Sequence, residues 1–177
     1  MKNTYKLALS SIFTALSITL LYFGSILNTL EFTAIAIAAT ILVIVYEECD
    51  KKYAWLTYFS VMFLSFFLVT YVSTAILYAL YGFYPILKYD IDKKKSKTIR
   101  LILKSFAFGI STLLAYILLV VVLKIIITEL EFQQFAQLIH IGLTVSLIII
   151  FIMFDKFLTM FRIAYLRRIK PKISKRR

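Results

Sequence analysis

The chain has 177 residues, 62% of them hydrophobic and 17% charged, with a formal net charge of +12 and one cysteine. A soluble domain of this length is about half apolar and spreads those residues at helix or strand period. Here they come in long runs almost free of charge, which points to an all-α, polytopic membrane protein and away from the soluble nucleic-acid binder that +12 would otherwise suggest.

The N-terminus, MKNTYKLALSSIFTALSITLLYFGS, imitates a signal peptide with its lysines and apolar run. The run is too long for a signal's apolar core and no A-x-A cleavage pattern follows, so it reads as a retained first helix, about Leu7–Leu27. Two neighbouring stripes of small or hydroxyl residues run along it. One is Ser10, Thr14, Ser17, Gly24 and Asn28; the other is Ser11, Ala15 and Thr19. Such spacing lets another helix approach to backbone contact, whether that helix belongs to this chain or to another subunit. Helix 2, about Phe32–Tyr46, repeats the device with Ala34 and Ala38, and with Ala36 and Thr40.

From Tyr53 to Leu87 no charged residue occurs. At ~1.5 Å per residue, one helix of that length would far exceed the ~30 Å hydrocarbon core, so the segment has to fold back. The hydroxyl and β-branched cluster at 70–74 is the predicted turn, giving helix 3 as Tyr53–Val69 and helix 4 as Ala75–Lys88. Gly82 and Pro85 interrupt helix 4 close to its charged end. That break reads as a hinge or docking elbow, with Tyr78 and Tyr81, one or two turns before it towards the other end of the helix, as the pocket neighbours. Helix 5, Leu101–Ile127, carries Ser105, Gly109, Thr112 and Tyr116 on one face. Helix 6, about Phe135–Phe154, continues as a basic amphipathic tail over 155–177. Gln133, Gln137, His140 and Thr144 fall on one face at its start, either as interhelical hydrogen-bonding groups or as ligand contacts.

Six spans put every Lys and Arg but Lys124, out of 21, on one side with both termini, and Glu31, Glu129 and Glu131 on the other. The positive-inside rule makes the basic side cytoplasmic, where it also suits anionic lipid. The chain then forms a single integral membrane domain, 1–177. The sequence holds no HExxH, G-x-S-x-G, Walker A or CxxC motif and no pair of carboxylates inside an apolar run. No enzyme activity, cofactor or metal is expected. Cys49, being alone, excludes an internal disulfide.

Six spans, short loops, cytoplasmic termini and a small-residue helix 1 together resemble the substrate-binding S components of energy-coupling-factor transporters. In that family an AxxxA pattern on helix 1 docks the transmembrane coupling protein. The matching positions here are Ser11 and Ala15, so Ser replaces the first Ala, and Thr19 continues the stripe. The resemblance implies a vitamin or other small micronutrient bound near the outer face, under a lid between helices 1 and 2. It places Asn28 and Glu31 on that lid, and Gln133, Gln137, His140 and Thr144 on the pocket wall near Tyr78 and Tyr116. It also implies partner ATPase subunits and location in a bacterial plasma membrane. A second reading, similar to the rod-shape-determining membrane proteins, is a scaffold for cell-wall machinery, which needs no pocket.

Overall fold

Long runs of Leu, Ile, Phe and Ala in apolar surroundings favour helix, because a helix satisfies nearly every backbone N–H and C=O within its own segment. The computed structural model describes residues 2–27, 30–94, 96–127 and 136–170, and among these the side chains at 2, 115, 116, 118–127, 136–148, 168 and 169 lie outside the description. The described residues form helices and short connections, with no strand. The helices are α1 (Lys2–Ile26), α2 (Glu31–Cys49), α3 (Lys51–Leu68), α4 (Val72–Tyr81), α5 (Tyr84–Asp92), α6 (Lys97–Ile127) and α7 (Ala136–Ala164). A π-helical turn, Tyr165–Ile169, ends the series.

The turn between α3 and α4 falls at 69–71, overlapping the predicted 70–74. The predicted helix 4 is in fact two helices. Gly82 and Phe83 separate α4 from α5, and Pro85 sits in the first turn of α5, where its missing N–H has no helical partner to lose. A Cβ on Gly82 would lie 2.6 Å from the Tyr78 carbonyl oxygen and 3.0 Å from the Tyr78 ring, so glycine is required for the close turn. The α6 helix begins at Lys97, a turn earlier than expected. The α7 helix runs on to Ala164 without a break at 154, so the basic tail continues the same helix.

The α2 helix is central. Ala34, Ala38, Ala39, Leu42, Val43 and Val45 are all buried, on more than one face. A helix apolar all round belongs inside a bundle or a membrane. Small side chains let α1 come close: a Cβ on Gly24 would overlap that of Ala34. The main core joins α1, α2, α3 and α4 through Leu21, Ile35, Leu42, Tyr58, Val61 and Tyr78. A smaller cluster of Val43, Tyr84, Tyr89 and Leu158 brings in α5 and α7.

Several hydroxyls along the helices are satisfied by the preceding turn: Ser10 donates to the Leu7 carbonyl, Thr14 to that of Ser10, Ser25 to that of Tyr22 and Thr40 to that of Ala36. The buried hydroxyls of Ser17 and Thr57 have no hydrogen-bond partner among the described residues.

Asp50 alone connects α2 to α3. Its φ of 82° and ψ of 164° are a backbone conformation that favours glycine, and its carboxylate pairs with Lys6 on α1.

Both α1, over Asn3–Ile26, and α2 are long and apolar enough to cross a membrane. Large apolar side chains also cover the outside of the bundle, among them Phe32 at 71% exposure, Phe67 at 83%, Leu101 at 68% and Met160 at 69%. A scattered exposed Leu needs no explanation, but a surface clad in Phe, Leu and Ile calls for apolar surroundings.

Candidate functional site

At the end of the bundle where α2 begins, the backbone of α4 approaches Glu31. Glu31 Oε1 accepts hydrogen bonds from Ser73 Oγ at 3.0 Å and from Thr74 Oγ1. The expected lid carboxylate thus clamps α2 to α4. Tyr78, one turn beyond Thr74, is fully buried with its ring 6.0 Å from that of Tyr58, and its hydroxyl has no hydrogen-bond partner among the described residues. Tyr58 itself donates to the Ala79 carbonyl at 2.6 Å. Tyr78 therefore sits inside the core, beside the break at Gly82 rather than on an open wall. Of the other expected contacts, Asn28 and Gln133 lie outside the described residues. The side chains of Tyr116 on α6, and of Gln137, His140 and Thr144 on α7, likewise lie outside them.

Along α1 the two small-residue stripes separate. Ser10, Ser17, Leu21 and Gly24 face the bundle, whereas Ser11, Ala15 and Thr19 are exposed beside Ile12 and Leu16. A one-residue offset turns a side chain by about 100° around a helix, enough to send adjacent serines to opposite environments. Ser11 donates to the Leu7 carbonyl at 3.0 Å and Thr19 to that of Ala15 at 2.9 Å. The exposed stripe is therefore shallow and makes no outward polar demand.

The densest polar construction lies at the opposite end, where α2 and α7 end and α3 begins. Lys88 on α5 has no exposed side-chain surface and pairs with Asp155 Oδ1 on α7 at 2.6 Å. Tyr84, one turn earlier on the same face of α5, donates to the same oxygen at 2.5 Å. Lys104 on α6 reaches Asp92 at 2.8 Å and Asp155 at 3.5 Å. One carboxylate thus gathers α5, α6 and α7. Burial pushes the Asp155 carboxyl up, but hydrogen bonds from Lys88 and Tyr84 and the nearby lysine charges outweigh this and hold it below its ordinary value.

Three further groups complete this end. Asp90 takes Lys51 at 2.5 Å and the Tyr46 hydroxyl at 3.0 Å; here too the partners overcome burial and hold the carboxyl down. Glu47 on α2 accepts from Arg162 Nη2 at 2.6 Å and lies 3.5 Å from Lys170, while the Arg162 guanidinium covers the Tyr89 ring at 4.3 Å. Tyr165 donates to Glu48 at 3.0 Å, and burial first, then that carboxylate, push its phenol up so that it remains a donor.

Sequence reasoning placed these charges at an interface but missed their pairing. The readable signal was the spacing of Tyr84 and Lys88, four apart beside the helix break, with Asp155 opening a strongly basic tail. Among the described residues no group of three His, Cys, Asp or Glu is placed to hold a metal ion.

The chain has no match among known family models, curated proteins or solved structures.

Proposed function

We propose that the chain is a six-span membrane protein with its paired-charge end in the cytoplasm, and that it works by docking to another membrane protein as the substrate-binding component of a micronutrient uptake transporter. The observation that carries the docking step is the division of α1. Its inward stripe is spent on α2 and α3, while Ser11, Ala15 and Thr19 remain on the outside with small side chains. A shallow face of this kind lets a second helix pack at backbone distance, where dispersion contacts and weak Cα–H···O bonds hold helices together in lipid. The apolar cladding supports membrane embedding, and the cationic surplus at one end supports the orientation. Lacking motifs for hydrolysis or ion coupling, the chain would take its driving force from partner ATPases acting through a transmembrane coupling protein.

Replacing Ser11 and Ala15 together by leucine should abolish co-purification with a partner membrane complex while leaving the thermal midpoint of the isolated protein unchanged. Undiminished recovery of the complex would reject the docking face. Substrate binding is tested separately: the purified protein should gain thermal stability with one member of a panel of vitamins, nucleobases and small metabolites, by about 2–3 kcal/mol at a hundredfold excess over Kd. A flat panel would leave the docking face in place and favour the scaffold reading. One observation already favours that second reading. The region around Tyr78, where a pocket wall was expected, is filled by its own side chains.

A further inference from the structure

Between α2 and α7 runs a narrow groove of about 190 Å³, lined by Ile37, Thr40, Ile41, Ile44, Phe157 and Phe161. No polar atom reaches its wall, since the Thr40 hydroxyl is turned back to the Ala36 carbonyl at 2.7 Å. The groove does not stop in empty space. Ile44 lies one turn before Glu47 on α2, and Phe161 directly precedes Arg162 on α7. Its charged end is therefore the site where Arg162 and Lys170 share the single carboxylate of Glu47. Glu48, held by Tyr165, is the second carboxylate here, so Glu47 and Glu48 balance Arg162 and Lys170. The surplus of positive charge comes from Arg167, exposed on the following turn and without a carboxylate partner among the described residues.

We infer that this groove and its cationic end form a binding site for one anionic phospholipid, with an acyl chain along Ile37–Ile44 and the phosphate beside Lys170 and Arg162. The inference rests on the membrane location and orientation proposed above. Two features of the groove select the occupant. A wall without a polar atom rejects any polar ligand or peptide backbone, whose unpaired groups would be costly there. The surplus charge at one end only, at the depth where an apolar helix meets its basic flank, selects an anionic headgroup over a zwitterionic one. Lys170 keeps 40% of its side chain exposed and Arg162 30%, so both can turn a donor to a phosphate without surrendering Glu47.

The test uses the full-length protein in detergent micelles containing equal phosphatidylglycerol and phosphatidylcholine, with retained lipid read by native mass spectrometry. One phosphatidylglycerol should be retained in preference to phosphatidylcholine. Lys170→Gln should lower that preference about fivefold, the effect of removing one basic charge near an anionic surface. Ile44→Trp, which fills the groove, should reduce retention of both lipids, whereas Phe63→Trp on the exposed face of α3 should not. Equal retention of the two lipids, or wild-type behaviour in Lys170→Gln, overturns the site even if Ile44→Trp fails to fold. Alkaline carbonate extraction of the source membranes distinguishes the two levels of the argument. A chain that stays in the pellet but shows no lipid preference defeats this inference alone; a chain released to the supernatant defeats the membrane reading and the lipid site with it.

Discussion

Replacing Asp155 with alanine should lower the stability of the detergent-solubilised protein by about 3 kcal/mol. That is the lower end of the range for removing one member of a buried ion pair, because Asp155 keeps 23% of its side chain exposed. The cost arises mainly from what remains. Lys88, with no exposed side-chain surface, would hold a charge without its carboxylate, and the Tyr84 hydroxyl would lose its acceptor. The combined change Lys88→Met and Asp155→Leu should recover most of the loss, since an apolar pair of similar volume needs no compensation. A denaturant titration of the three variants checks this. If Asp155→Ala alone unfolds at the wild-type midpoint, the carboxylate does not hold α5, α6 and α7 together.

The same group sets an acid limit. Its folded-state value lies below the ordinary 3.8, so its contribution is fully present above 3.8 and is lost as pH falls through the lower folded value. Asp90 acts in the same direction. Stability should therefore be flat near neutrality on account of these groups and fall in strong acid. The Asp155→Ala protein should show a shallower fall over that window.

Gly24→Val should be the most damaging single change on α1. The added carbon would overlap the Cβ of Ala34, and the Leu30 carbonyl oxygen is only 3.5 Å away, so α1 and α2 would have to separate along their contact. Overpacking of this kind costs about 1–3 kcal/mol, outweighing the fraction of a kcal/mol that leaving glycine contributes to helix propensity. Ala34→Gly in the same chain should restore part of the loss by vacating that space. Gly109→Ala on α6 is the control. Nothing lies within 4 Å of its added carbon, so it should be neutral or slightly stabilising, by less than about 1 kcal/mol. Thermal midpoints that rank Gly24→Val with Gly109→Ala would reject the close α1–α2 approach.

Much of the helical layout was legible because it depends on local rules. Charge-free length demanded a fold-back before Leu87, and Gly82 with Pro85 marked a break that the structure places between α4 and α5. The alanine spacing of helix 2 marked a close helix contact, either internal or with another subunit, and did not mark the helix as central. Other features had no local signature. Ser10 and Ser11 belong to equally small stripes, and only the placement of α2 and α3 decides which is buried. Lys88 and Asp155 are 67 positions apart, and nothing near either residue names its partner. Tyr78 is a pocket neighbour by its place in the sequence, but its ring governs its position, packed on Tyr58 and against the turn at Gly82. The stripe from Gln133 to Thr144 was read from spacing alone and lies outside the described side chains.

The single-residue link at Asp50 bears on where the chain can be altered. A joint with one residue has no slack, and its backbone already occupies a conformation that few side chains adopt. Adding residues there would shift the register of α3 against α2 and pull Asp50 away from Lys6. A tag or reporter placed between α2 and α3 should therefore prevent accumulation of folded protein. The connection between α5 and α6, near exposed Lys93 and Lys94, joins two helix ends through polar residues and is the better place for an insertion.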